Sequence, residues 1–217
     1  RAQTDPDFTF LVVTGESLPQ KWRTRLMDNL ASVPQAMVQN HVPGPHREIM
    51  NAAILSAREN RGQPTLQFRM DDDDAVSVNF VARLREAVSD CRALLEKHRH
   101  VAFDFSQGFV ARPTAEGIEA GQVIESLWTP GLAMTAPPRS STTILSFSHT
   151  RMGRFMPVVS LPKEDMFIRG HSDLNDSRQS GNVRHFSLEK LDSDGEAYFK
   201  ETFAIDASAV RAAFSAG

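Results

Sequence analysis

From residue 8 to residue 105, short runs of β-branched and aromatic residues alternate with stretches of helical periodicity, and few folds accept that order. Phe8-Thr9-Phe10-Leu11-Val12-Val13 lies between Thr4-Asp5-Pro6-Asp7 and Gly15, so it reads as a strand between turn signals. Ser17-Leu18-Pro19 opens a helix to about Ala31, with Trp22, Leu26 and Leu30 on one face. Ser17 is its expected N-cap, and Pro19 sits in the first turn, where a missing N–H costs little. Ala36-Met37-Val38-Gln39 is a short strand, Pro43-Gly44-Pro45 breaks the chain, and a helix runs from about His46 to Asn60. Thr65 to Met70 form the next strand and four aspartates follow. A long helix from about Val78 to His98 carries Phe80, Val81, Leu84, Val88, Leu94 and Leu95, and Val101 to Phe105 is a further strand. The order β-α-β-α-β-α-β predicts an α/β fold with a mainly parallel, Rossmann-like sheet flanked by helices.

Beyond Ser106 that rhythm fails. Short apolar pieces such as Gly108-Phe109-Val110 and Leu132-Ala133-Met134 sit among Pro137-Pro138, Ser140-Ser141 and Gly153, which predicts an irregular α+β part. Helical patterning returns from Glu189 to Ala216. The expected organisation is one domain in two halves, residues 1–105 and 106–217. A chain of 217 residues can bury a sizeable core, and a net charge of -3 argues against a dedicated nucleic-acid binder. One cysteine, Cys91, rules out an intramolecular disulfide and a cysteine-based zinc site, and points to a reducing compartment. No run approaches the ~20 apolar residues of a membrane span, and no signal-peptide pattern is present. With Arg1 in first position and a strand starting by Phe8, the element that opens the fold is expected to lie upstream.

Phe68-Arg69-Met70-Asp71-Asp72-Asp73-Asp74-Ala75 carries the strongest chemical signal. The four carboxylates follow a strand and precede a helix, at the edge where open α/β sheets bind ligands. Along the strand Leu66, Phe68 and Met70 share one face while Gln67 and Arg69 share the other. If the extended geometry continues, Asp71 and Asp73 prolong the polar face. Two such carboxylates can hold a hard divalent cation whose remaining positions go to water and phosphate oxygens. Asp72 and Asp74 would then hydrogen-bond a sugar or cap the next helix. The blander alternative is a solvated acidic turn.

Asp71-Asp72-Asp73-Asp74-Ala75 after a strand resembles the DxD segment of GT-A glycosyltransferases, with Asp71 and Asp73 in the motif positions. Ala2-Gln3-Thr4-Asp5-Pro6-Asp7-Phe8 is similar to the QTDxDF entry to the second strand in the rhamnosyltransferase-domain proteins of bacteria. Leu18-Pro19 and Arg69-Met70-Asp71 fit the same group, and the likeness covers mainly residues 1–105. It implies a GT-A-like fold in which the first half binds a nucleotide-diphosphate sugar and the second faces a glycan or lipid-linked acceptor. It also implies Mn²⁺ or Mg²⁺ as cofactor, transfer of a sugar such as rhamnose, and a cytoplasmic bacterial setting, with a peripheral place at the inner membrane left open. In that fold the first strand and its loop cradle the base, which agrees with the element expected upstream. A bound cation would stabilise the departing diphosphate.

GT-A enzymes often add a histidine from the C-terminal half to the metal shell. His171, in Phe167-Ile168-Arg169-Gly170-His171-Ser172-Asp173-Leu174-Asn175, lies where an apolar strand opens into a polar run through Asp176, Ser177 and Arg178, and is the first candidate. His149 is the second. His98 and His100 suit a helix end, and His41, His46 and His185 have no carboxylate context. Arg169 or Arg178 is expected near phosphate, alongside Arg69. An inverting enzyme also needs a carboxylate base, for which Asp104, Glu125 and Asp165, beside Glu164, are the candidates. Trp128 in Trp128-Thr129-Pro130-Gly131 is a candidate sugar platform or a packed turn, and Ala136 to Thr143 a candidate acceptor lid. Asn175-Asp176-Ser177 matches a glycosylation sequon only formally. Two further readings stay open: a metal-dependent phosphotransferase or nucleotidyltransferase, and a non-enzymatic calcium-binding acidic domain.

Overall fold

The computed structural model describes residues 2–58, 62–171 and 186–215. The first part runs β1 (Phe10–Gly15), α1 (Gln20–Leu30), β2 (Ala36–His41), α2 (His46–Ala57), β3 (Thr65–Phe68), β4 (Ala75–Val76), α3 (Phe80–Asp90), α4 (Arg92–Lys97) and β5 (Ala102–Asp104). The second part adds β6 (Gln107–Thr114), β7 (Gly117–Ile124), β8 (Leu132–Ala136), β9 (Val158–Ser160), β10 (Phe167–Gly170), β11 (Glu189–Lys190), α5 (Ser193–Phe203) and α6 (Ala207–Ser215). Short 3-10 segments, Ile144–Ser146 and His149–Arg154, lie between β8 and β9.

The architecture is mixed α/β, and the sheets are not mainly parallel. β1 and β2 pair in parallel as a two-stranded sheet. A four-stranded sheet has the order β3-β8-β5-β9, and a five-stranded sheet the order β11-β7-β6-β10-β4. Of the pairings among described strands, β1–β2, β6–β10 and β5–β9 are parallel. Those of β4–β10, β7–β11, β3–β8, β5–β8 and β6–β7 are antiparallel. The helical crossovers of the first half do orient β3 and β5 alike. Yet β8 enters between them in the opposite sense, with Thr65 opposite Ala136 and Ala102 opposite Met134. β3 and β5 are thus near-neighbours in one sheet, while β1 lies in the separate two-stranded sheet. Strands from both sides of residue 105 share the four-stranded sheet.

Several local expectations shift for identifiable reasons. Pro19, not Ser17, is the residue before α1, and no side chain caps that helix end. The long helix breaks at Cys91 (φ -102°, ψ 22°), which separates α3 from α4. The region beyond Ser106 holds the regular β6–β7 hairpin, in register from Gln107–Ile124 to Thr114–Gly117. Gly117 carries its turn at φ 130°, which a residue with a Cβ rarely adopts. At the C-terminal end, α5 stops where Ala204 turns left-handed, at φ 56°.

Three apolar clusters fix these layers. Phe80, Leu84, Phe103 and Phe105 pack with Leu66 and Phe68 beneath the four-stranded sheet. Phe80 meets Phe68 at 4.9 Å and Phe105 at 5.4 Å between ring centroids, within the favoured range for aromatic pairs. A second cluster joins Leu132, Met134 and Met152 on the other face. The third holds α5 and α6 to the five-stranded sheet through Ile118, Ile168, Phe199 and Phe203. Leu66 and Phe68 thus turn inward while Gln67 turns away and accepts from Ile144 N–H at 3.1 Å. The alternation expected of β3 is present. No helix among the described residues is long and apolar enough to cross a membrane.

Candidate functional site

A groove of about 2050 Å³ runs along β1, β3 and the faces of the first four helices. β1 and β3, edge strands of their sheets among the described residues, both contribute to its wall. Much of the lining is apolar, from Leu11, Leu26, Leu30, Leu66, Phe68 and Leu84. At one end Arg69, Asp71, Asp72, Asp73, Asp74 and Arg169 line it together. β3 delivers the aspartates and β10 delivers Arg169, so the site depends on two strands far apart in sequence.

The acidic run does not continue the strand. Asp74 N–H donates to the Asp71 carbonyl at 3.1 Å, and Asp71 N–H donates to Asp74 Oδ2 at 3.3 Å. The chain therefore turns over Asp72 and Asp73, because four adjacent carboxylates have no sheet partner to hold them extended while the Asp74 side chain offers a local acceptor. Asp71, Asp72 and Asp73 are exposed and Asp74 is half-buried. Alternation along an extended strand consequently does not relate Asp71 to Asp73; the turn does. After it comes the short strand β4, not a helix.

Asp74 is the anchor of this turn. Its Oδ1 also accepts from Gly170 N–H at 3.2 Å. Burial pushes its carboxyl up to about 6, against the pull of the Gly170 and Asp71 N–H groups, and the charges of Asp71 and Asp73 push it further. Gly170 permits the contact by lacking a side chain, since a Cβ there would stand 2.3 Å from the Asp73 carbonyl oxygen. Arg69 approaches Asp71 at 3.7 Å, with both side chains partly in solvent.

The remaining expected site residues are dispersed. His171 follows Gly170, the residue that bonds Asp74, and its own N–H donates to the Ala111 carbonyl at 2.9 Å. Among the described residues, no three His, Cys, Asp or Glu side chains form a group that could hold a metal ion. His149 bonds the Leu127 carbonyl through Nδ1 at 2.6 Å. Asp104 is fully buried, accepts from Leu127 N–H at 2.9 Å, and is pushed up to about 6 by burial. Asp165 accepts from Gln107 and Gln122 amides and from the Tyr198 hydroxyl at 3.0, 2.9 and 2.7 Å. Glu125 donates its N–H to Ser106. None of Asp104, Glu125 and Asp165 lines the groove. Asp173, Asn175, Asp176, Ser177, Arg178 and His185 lie outside the described residues.

Two participants were not legible as such in the sequence. Gly170 looked like a strand end, and only its closeness to Asp73 shows why a side chain is excluded. Trp128 stacks with Arg169, whose Cζ is 4.7 Å from the ring centroid.

Chemically, the turn offers exposed hard oxygen donors beside the Arg69 guanidinium, on a groove that Arg169 also lines. Mg²⁺-type sites use one or two carboxylates and let phosphate oxygens and water complete the shell, and this donor set fits that pattern. A cation held wholly by protein ligands would need more donors than the described residues bring together. A family model described as "Putative rhamnosyl transferase" matches residues 1–184 of the 217. No curated protein and no solved structure matches the chain significantly.

Proposed function

Because the chain belongs to this rhamnosyl transferase family, we propose that it is a metal-dependent GT-A-type enzyme that moves a sugar from a nucleotide-diphosphate donor to a glycan or lipid-linked acceptor. The observation that carries this reading is the acidic turn on the groove wall beside Arg69 and Arg169. In the reaction the acceptor hydroxyl oxygen bonds to the anomeric carbon while the bond from that carbon to the diphosphate oxygen breaks. The diphosphate leaves with the electron pair, and the hydroxyl proton passes to a base.

Asp71 and Asp73 would hold Mn²⁺ or Mg²⁺, with phosphate oxygens and water completing the shell; among the described residues His171 is not grouped with them as a third protein ligand. That cation supplies Lewis-acid stabilisation of the leaving diphosphate. Arg69 and Arg169 add donors to phosphate oxygens, and Arg suits this task because its planar fork matches a phosphate edge. Asp74 holds the turn closed and Asp72 faces the groove for a sugar hydroxyl. Among the described residues, the carboxylates that line the groove are Asp7, Asp71 to Asp74 and Glu96. Asp104, Glu125 and Asp165 would have to act from outside that wall.

The test is turnover of a panel of nucleotide-sugars with Mn²⁺, with EDTA as control. Release of nucleoside diphosphate that requires metal and Asp73 supports the reading. Phosphate transfer from a nucleoside triphosphate would instead favour a phosphotransferase, and stabilisation by Ca²⁺ without any turnover would favour a binding domain.

A further inference from the structure

The loop between β7 and β8 places an indole across two residues of β10. Trp128 meets the Phe167 ring at 6.0 Å and has Arg169 Cζ 4.7 Å from its own centroid. Phe167 and Arg169 are two apart on a strand and so share a face. Phe186 closes on the indole edge-on at 5.8 Å. The loop itself is clamped at Leu127, whose φ of 62° is costly for a residue with a branched side chain. Asp104 accepts the Leu127 N–H, and His149 bonds its carbonyl. Such a conformation persists only where the surroundings over-determine it.

Among the described residues no carboxylate stands within ion-pair distance of Arg169, although it lines the same groove as the aspartates. A guanidinium stacked on an aromatic face keeps its N–H donors free at the edge. We propose that Trp128 is a positioning residue that presents the edge of Arg169 to the diphosphate held at the Asp71–Asp74 turn, an assignment that rests on the glycosyltransferase reading. Stacking fixes the plane of the guanidinium before the ligand arrives, so less rotamer freedom is lost on binding. The contact also makes the indole a reporter of the arginine.

The chain has two tryptophans, and Trp22 is exposed and stands off the groove wall. In a Trp22→Phe protein the emission of Trp128 is followed while inorganic pyrophosphate is added with Mn²⁺. A saturable change in emission is expected, and Arg169→Gln should abolish it. In turnover, Trp128→Ala should raise KM for the nucleotide-sugar about tenfold with kcat within about threefold, and Trp128→Phe should restore most of the loss. Pyrophosphate binding, followed by calorimetry, without any change in Trp128 emission would overturn the proposal. So would an unchanged KM in a folded Trp128→Ala protein, or a failure of Trp128→Phe to rescue. Absence of any metal-dependent pyrophosphate binding to the Trp22→Phe protein would remove the glycosyltransferase reading, and this assignment with it.

Discussion

Replacing Asp104 by Asn should make the protein more stable at neutral pH, although it removes a buried charge that accepts a hydrogen bond. Asp104 is fully buried, and burial lifts its carboxyl from an ordinary 3.8 to about 6 against the opposing Leu127 N–H and Ser160 hydroxyl. A raised carboxyl means that the folded state holds its proton where the unfolded chain has lost it. Stability from this group is therefore present at low pH and falls as pH rises from about 4 through about 6. The full loss is the difference, 6 - 3.8, at ~1.36 kcal/mol per unit, or about 3 kcal/mol. Against a typical total of about 5–15 kcal/mol that is a large share. Asn keeps an oxygen for the Leu127 N–H and carries no charge at any pH. Urea unfolding of both proteins at pH 4 and pH 8 measures the effect. The variant should gain on the order of 2–3 kcal/mol relative to wild type between those two pH values. Asp74 shifts in the same direction, so wild-type and variant curves both slope, the variant less. Parallel curves, with the variant weaker at pH 8, would refute burial as the cause of the shift.

Asp73→Asn should abolish metal-dependent turnover while leaving the urea midpoint within about 0.5 kcal/mol of wild type, since Asp73 is exposed and loses only like-charge neighbours. Gly170→Ala should push the acidic turn off β10, because the new Cβ meets Asp73 backbone at 2.3 Å. About 1–3 kcal/mol of destabilisation is expected in urea, with a weakened response to Mn²⁺. Phe80→Ala should cost about 3–5 kcal/mol by calorimetry or urea, as its ring is fully buried between Phe68 and Phe105.

The elements of the first half were legible because β1, β2 and β3 and their helices are local patterns of period 2 and 3.6. Their pairing was not. Nothing in Leu132-Ala133-Met134 announces that β8 will insert between β3 and β5, because the insertion depends on non-local pairings, from Asp104 opposite Leu132 to Thr65 opposite Ala136. The acidic run was recognisable as a candidate site from its place after β3, and the aspartates do line the groove. Its turn was missed, since an extended strand and a side-chain-closed turn share the same four residues until the partner at Gly170 is known. Asp104 was visible as a carboxylate after a strand and Asp165 as one beside Glu164, but only packing shows that the first is sealed beneath Leu127 and the second tied to Tyr198, Gln107 and Gln122.

The hydrogen bond from Gly170 to Asp74 spans 96 residues of sequence. Closing a loop of that length carries an entropic cost that grows only slowly with length but must be met before the contact gives anything back. Pairings this distant slow folding relative to helices and hairpins. A nascent chain synthesised as far as β8 already contains all four aspartates, yet it lacks the strand that closes over them. The anchor of the acidic turn is therefore completed only once β10 docks between β6 and β4, and a chain that ends before β10 carries the four aspartates without it.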